Sequence, residues 1–246
     1  MRRVRWIVER PRDGSPTASQ IQAAVEALGG EFALIDVTPR ERVEFPRYDR
    51  PTVLHGRRTL LHAAIAHPDY GRAVFFDPAA FRPSAYLSHW GELMLNADAR
   101  VVSVDEARHE NRSRALFARP DDDDKAFTGR VFERGELATA RIENDRLVIA
   151  PAREVDAEAR FFIVDGEIVA ESMFRPSVFD RVSLELRACA QAAAKRWAPA
   201  RVFVLDVGRS EARSGIVEAN CFNGSRLYAA DAASIVERVS SVVLDL

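Results

Sequence analysis

Two hydrophobic runs end in oxygen-bearing side chains. Val204-Leu205-Asp206-Val207 presents one carboxylate, and Val217-Glu218-Ala219-Asn220-Cys221-Phe222-Asn223 presents a second together with an amide. Glu218 and Asn220 are two residues apart, so on a strand they point to the same side. With Asp206 at the end of a paired strand, the three make an oxygen-rich cage. Magnesium takes such hard ligands and completes its octahedron with water and phosphate oxygens. Acids at strand ends also serve simply as turn residues, and neither half alone carries the metal reading.

A second cluster pairs cations with acids. In Phe117-Ala118-Arg119-Pro120-Asp121-Asp122-Asp123-Asp124-Lys125-Ala126-Phe127-Thr128-Gly129 a strand delivers Arg119, and a loop of four aspartates leads to Lys125 and Gly129. A solvated acidic turn is the bland reading, and a phosphate loop with Arg119 and Lys125 as its cations is the functional one. The lysine count favours the second. The chain has two lysines, Lys125 and Lys195, against 33 arginines. Arginine replaces lysine readily on a surface but does not reproduce a compact ammonium at a phosphate.

A third stretch, Glu158-Ala159-Arg160-Phe161-Phe162-Ile163-Val164-Asp165-Gly166-Glu167 running on to Arg175, reads as a hairpin. Glu158 and Arg160 share a face of its first strand, and Arg175 closes the far end of the second. An ordinary cross-strand ion pair would look the same and be worth little if exposed. No Ser-His-Asp or Cys-His arrangement is visible. His55, His62, His67, His89 and His109 are scattered without metal-ligand spacing. Cys189 and Cys221 make no CxxC, and Cys221, although beside Asn220, has an apolar setting unlike that of an activated nucleophile.

The elements that position these residues follow from periodicity. Strands are predicted at 4–8, 32–37, 52–56 and 101–104, with helices at about 21–28, 57–66 and 83–95, and 73–76 is a short apolar run. From about 111 the pattern turns strand-rich, with runs at 115–118, 131–132, 147–149, 161–164, 168–173, 202–205 and 216–217. Asn144-Asp145 and Asp165-Gly166 are hairpin-turn signals, and helices are expected at 178–197 and about 229–241. The order predicts an α/β region over 1–110 and a strand-rich α+β region over 111–246.

Taken together the three clusters resemble the ATP-grasp superfamily, and more narrowly its bacterial and phage clade characterised by two arginines and one lysine. The matching stretches are Phe-Phe-Asp-Pro-x-x-Phe-Arg-Pro-Ser at 75–84, Leu-Asn-Ala-Asp at 95–98 and Arg-Pro through Lys-Ala-Phe-Thr-Gly at 119–129. Arg-Phe-Phe-x-Val-Asp-Gly at 160–166 and Glu-x-Asn-x-Phe-Asn at 218–223 complete the set. The resemblance implies an α+β ATP-grasp fold with an N-terminal α/β pre-ATP-grasp subdomain. It implies an ATP-dependent carboxylate-amine ligase of the peptide type, acting through an acyl phosphate and releasing ADP and phosphate. Carried over, Arg119 and Lys125 contact ATP phosphates, and Glu158 stands with the nucleotide-binding residues. The strand through Ile149 and Ala150 supplies the backbone edge for adenine. Asp206, Glu218 and Asn220 hold Mg2+, and Arg160 and Arg175 face the γ-phosphate and the transferred carboxyl. The long glycine-rich phosphate loop of many such ligases is absent, with Gly129 the one glycine near its place. Two rival readings remain. One is a nucleotidyltransferase or nucleic-acid ligase using Lys125 as a covalent adenylate acceptor, although Ala126-Phe127-Thr128 does not complete a Lys-x-Asp-Gly pattern. The other is a nucleotide-binding module without catalysis.

Composition sets the outer limits. A 246-residue chain with 47% hydrophobic residues can bury a substantial core. A formal net charge of -2 argues against a polybasic nucleic-acid or lipid surface. No apolar run approaches the ~18 residues of a membrane span. The expected protein is cytoplasmic and acts on carboxylate and amine substrates, a peptide or protein among them, without nucleic acid or membrane.

Overall fold

The structure is a computed structural model that describes residues 4–12, 14–38, 42–122, 127–211 and 213–245. Strands β1 (Arg5–Glu9), β2 (Glu31–Ile35) and β3 (Thr52–His55) form a parallel sheet in the order β2-β1-β3. Helix α1 (Thr17–Ala27) makes the crossover from β1 to β2 and ends where Gly29 takes φ +69°, a conformation that glycine adopts without steric cost. Helix α2 (Arg58–Ile65) follows β3. The short apolar run 73–76 forms no strand. A 3-10 turn over Tyr70–Ala73 leads into it, and the Phe75 amide donates to Asn223 Oδ1 at 2.7 Å.

Helix α3 (Pro83–Trp90) stops short of the expected Leu95, because Gly91 turns to φ +49° and a 3-10 segment takes over. Leu95 then donates its amide to the Ile216 carbonyl at 2.8 Å. This close approach requires Gly215, where a Cβ would lie 2.5 Å from the Leu95 nitrogen.

The second sheet is antiparallel, with strands β4 (Arg100–Ser103), β5 (Leu116–Pro120), β6 (Arg130–Phe132) and β7 (Arg146–Pro151) in the order β4-β7-β5-β6. Helix α4 (Val104–Asn111) covers it, started by a capping box between Ser103 and Glu106. Both β4 and most of α4 precede residue 110 and yet belong to this layer. The pair Asn144-Asp145 is not a hairpin turn, since β5 lies between β6 and β7. The Asn144 amide instead donates to the Asp122 carboxylate.

The third sheet holds β8 (Ala157–Val164), β9 (Glu167–Arg175), β10 (Val202–Ser210) and β11 (Arg213–Cys221) in the antiparallel order β11-β10-β8-β9. Asp165 and Gly166 turn the β8–β9 hairpin with φ 48° and 81°, as a two-residue turn of this hand requires. Helix α5 (Leu184–Arg196) starts at the Ser183 cap, later than the expected 178. Helix α6 (Ala232–Leu244) starts at the Asp231 cap, three residues past the expected 229. Strand β8 is buried along its whole length. Alternation sends Ala159, Phe161 and Ile163 into a core with α3 and α5. Phe162 and Val164 enter a second core shared with Trp6, α1 and α6, and this core binds the third sheet to the first. No helix among the described residues is long and apolar enough to cross a membrane.

Candidate active site

One row of side chains crosses the third sheet. Glu218 on β11 lies opposite Asp206 on β10, Asp206 opposite Arg160 on β8, and Arg160 opposite Ser172 on β9. Asp206 is therefore in mid-strand and not at a strand end, since β10 runs on to Ser210. Asn220 and Glu158 lie one side-chain step away along their strands, on the same face. Further along, that face carries Phe162, Val164 and Val204 into the core, so the apolar half of each strand anchors its charged half.

The pairing is tight. Arg160 donates Nε to Asp206 Oδ1 and Nη2 to Oδ2, both at 2.8 Å, in the two-pronged geometry that arginine alone offers a carboxylate. Its Nη1 donates to the Arg226 carbonyl at 3.2 Å. The guanidinium lies 5.0 Å from the Tyr228 ring centre and 5.7 Å from that of Phe174, and these rings stack on each other. Arg119 comes from β5 of the second sheet, above Tyr86, and donates Nη2 to Glu218 Oε2 at 2.9 Å. Asn220 Nδ2 donates both to Asp206 Oδ2 at 2.9 Å and to Glu218 Oε1 at 3.0 Å. The two acids thus meet on one amide, with an arginine behind each.

This arrangement fits magnesium. Two carboxylate oxygens converge on one small donor, and rotating the Asn220 amide would bring its oxygen to the same place. That rotation is unfavourable beside two carboxylates alone and favourable around a hard cation. The two arginines neutralise the carboxylates from the outer side.

Glu158 lies in register with Arg175, whose guanidinium donates to the Val155 carbonyl at 3.3 Å. Burial, and then the Asp206 charge, push Glu158 up to about 7 against the pull of Arg175. In the second sheet Val148 lies opposite Arg119 and Ile149 opposite Ala118. Ala150 therefore shares the Arg119 face, while Ile149 points into the core under α4. The predicted adenine edge is narrower than a whole strand. β7 is flanked by β4 and β5 as far as Ile149, and it outruns β4 only from Ala150 onward. Lys125 lies outside the described residues. Asp121, the first acid of its run, accepts the Ser84 amide at 2.8 Å at the start of α3.

Burial raises the Cys221 thiol to about 12, which leaves it protonated and unreactive. The sequence reading did not single out Tyr86, Phe174 and Tyr228 as the aromatic surfaces behind the two arginines. Asn223 ends the Glu-x-Asn-x-Phe-Asn run and is wholly buried. It donates to the Leu54 carbonyl at 2.6 Å and accepts from Phe75, tying the end of β11 to the first sheet.

The sequence matches the ATP-grasp domain, R2K clade family 3, over residues 69–239. The chain belongs to this family. The matched span contains every residue of the charged row. No curated protein matches the sequence. Among solved structures, a RimK domain ATP-grasp protein from Sphaerobacter thermophilus DSM 20745 is similar with TM-score 0.68 at 13% identity, covering 97% of this chain and 99% of that one. The ATP-grasp ligase PsnB, complexed with minimal precursor, Mg and ADP, has TM-score 0.57 at 13% identity, with 98% and 96% covered. The D-alanine–D-alanine ligase from Bacillus anthracis complexed with ATP has TM-score 0.60 at 11% identity, with 99% and 98% covered. At such identities the likeness is one of fold, and it spans this ATP-grasp chain nearly end to end.

Proposed function

We propose that the chain is an ATP-dependent carboxylate-amine ligase working through an acyl phosphate. ATP lies between the second and third sheets, with adenine against the free β7 backbone edge at Ala150. Glu158 stands by the nucleotide, and Arg119 and Lys125 hold its phosphates. Asp206, Glu218 and Asn220 hold magnesium, which when bound neutralises charge on the transferring phosphoryl group. Arg160 and Arg175 orient the γ-phosphate against the carboxylate. A carboxylate oxygen attacks the γ-phosphorus, and the bond to the bridging oxygen breaks with its electron pair leaving on ADP. The amine nitrogen then attacks the acyl carbon, the C–O bond to phosphate breaks, and inorganic phosphate and one proton leave.

The observation that carries this reading is the meeting of Asp206 and Glu218 on one Asn220 amide, each backed by an arginine, one of them from the opposite sheet. Positioning and charge neutralisation are what phosphoryl transfer chiefly demands. Solved proteins of this fold named as ligases support the chemistry, and the precursor bound to PsnB makes a peptide or protein a fitting substrate here. Both cysteines are free thiols, which agrees with a cytoplasmic enzyme. Product analysis tests the reading. Incubation with ATP, magnesium and panels of carboxylates and amines should release ADP and phosphate in step with amide formation. AMP and pyrophosphate would overturn it in favour of adenylate transfer to Lys125, and nucleotide binding without turnover on any pair would favour a non-catalytic module.

A further inference from the structure

The first sheet ends in a groove that the ligase chemistry does not use. Strand order reverses at β1, which has β2 on one side and β3 on the other. In open parallel sheets the crevice beyond the carboxyl ends at such a point is where ligands bind. Here that crevice is a cavity of about 280 Å³ lined from Glu9 to Arg12, from His55 to Arg57 and from Gly224 to Arg226. A second cavity of about 430 Å³ adjoins it, sharing Arg57, Gly224 and Ser225, and reaches Asn220 of the proposed magnesium site.

The described lining of this groove is rich in arginine. The chain as a whole carries a net -2, yet among the described residues the two cavities are lined by Arg10, Arg12, Arg57, Arg58 and Arg226 with Glu9 as the acid, and Arg10 is turned to Asp36 outside the lining at 2.9 Å. Glu9 is itself closed off. Its carboxylate accepts the Arg57 amide at 2.6 Å and Arg57 Nε at 2.7 Å, which fixes that guanidinium at the junction of the cavities. Among the described residues Arg12 donates to a neutral acceptor, the Val37 carbonyl at 2.6 Å, a contact that does not itself neutralise its charge. The Arg226 carbonyl, in turn, receives Arg160 Nη1. The groove is therefore joined to the reacting end of the site at Asn220 and at Arg160.

We infer that this groove holds a second anionic group of the carboxylate substrate, so that the enzyme acts on a polycarboxylate. The inference rests on the ligase reading. One carboxylate is activated beside Arg160, and another is held by Arg57, Arg12 and Arg226 as the specificity contact. The shared chemistry is a multiply charged carboxylate, presented either by an acidic peptide or by a small dicarboxylate.

Calorimetric titration of the whole chain with magnesium and a non-hydrolysable ATP analogue tests it. The probes are triglutamate against triglutamine, and glutarate against butyrate. At least one acidic probe should bind ten-fold or more tightly than its neutral or singly charged counterpart. Triglutamate alone would point to a peptide, and glutarate as well to a small dicarboxylate. The exposed-side variant Arg12→Gln/Arg226→Gln should weaken the acidic probe roughly ten- to a hundred-fold, the loss of a charge-assisted contact. It should leave the affinity for the ATP analogue within two-fold. Arg57→Gln is paired with Glu9→Gln so that no buried carboxylate is stranded, and this double variant should weaken the acidic probe to a similar extent. Equal binding of acidic and neutral probes by protein that still binds the analogue, or acidic binding unchanged in the variants, would overturn the inference. Failure of the analogue to bind would instead count against the ligase reading. Charge-selective binding lost in the variants would then still uphold the groove.

Discussion

The Glu9–Arg57 pair of the first sheet and the Arg160–Asp206 pair of the third both set a guanidinium against a carboxylate that is almost wholly buried. They differ in who else is present. Glu9 takes its amide and guanidinium donors from one residue, Arg57, whose side chain is half exposed, and no second acid shares the arrangement among the contacts described. Asp206 is shared among Arg160, Asn220 and, through that amide, Glu218 and Arg119. The first is a closed clamp that fixes one guanidinium beside the groove. The second holds two like charges together at the cost of two buried arginines, and an exchangeable amide sits where a cation can stand. Burial of charge alone does not separate structure from chemistry, whereas convergence of like charges does.

The largest expected effect breaks the open pair. Asp206→Asn leaves the Arg160 guanidinium buried against a neutral amide, and removing one partner of such a pair costs about 3–5 kcal/mol. Urea unfolding should read that loss, and ATP turnover should disappear with it. A stability change below about 1 kcal/mol would show that Arg160 is held chiefly by its aromatic neighbours and the Arg226 carbonyl.

Titration sharpens the contrast between the regions. His55 is buried at the end of β3 with Nε2 donating to the Ser225 carbonyl at 3.0 Å, and burial lowers it to about 4. Its folded value lies below the ordinary 6.5, so the neutral form contributes stability that is fully present above 6.5. That stability is lost as pH falls towards 4, by on the order of 3 kcal/mol at one residue. Glu158 in the third sheet is raised, so its contribution is full below about 4.5 and is lost as pH rises towards 7. Urea unfolding of wild type and His55→Gln between pH 4 and 7 should show the acid loss reduced in the variant. Parallel curves would place the acid sensitivity elsewhere.

A smaller effect is expected at the closed clamp. Arg57→Ala leaves Glu9 buried but still bonded to the backbone amide of residue 57, so the expected cost is about 1–3 kcal/mol by urea unfolding. A loss as large as that at Asp206 would remove the distinction between the two pairs.

Much of this was legible beforehand. The β8–β9 hairpin announced itself through alternation and its Asp165-Gly166 turn, and Glu158, Arg160, Glu218 and Asn220 were placed by the two-residue period of a strand. Long-range pairing was not legible. Nothing local shows that β7 inserts between β4 and β5, or that Asn144 turns to Asp122 instead of closing a hairpin. Residues 73–76 have strand composition, but their amide partner is a side chain nearly 150 positions away. Tyr86 and Tyr228 back the two arginines from elements that only the tertiary fold brings near, and a buried aromatic looks like core in any sequence.

Calorimetry with ATP, with and without magnesium, on wild type and Glu218→Gln tests the central claim most directly. Glu218 is partly exposed and neutralised by Arg119, so the variant should fold. Wild type should bind ATP more tightly with magnesium than without. Glu218→Gln should lose most of that difference, with MgATP affinity reduced about ten- to a hundred-fold. MgATP affinity equal in both proteins, or no magnesium effect in the wild type, would contradict the assignment of Asp206, Glu218 and Asn220 to a shared cation.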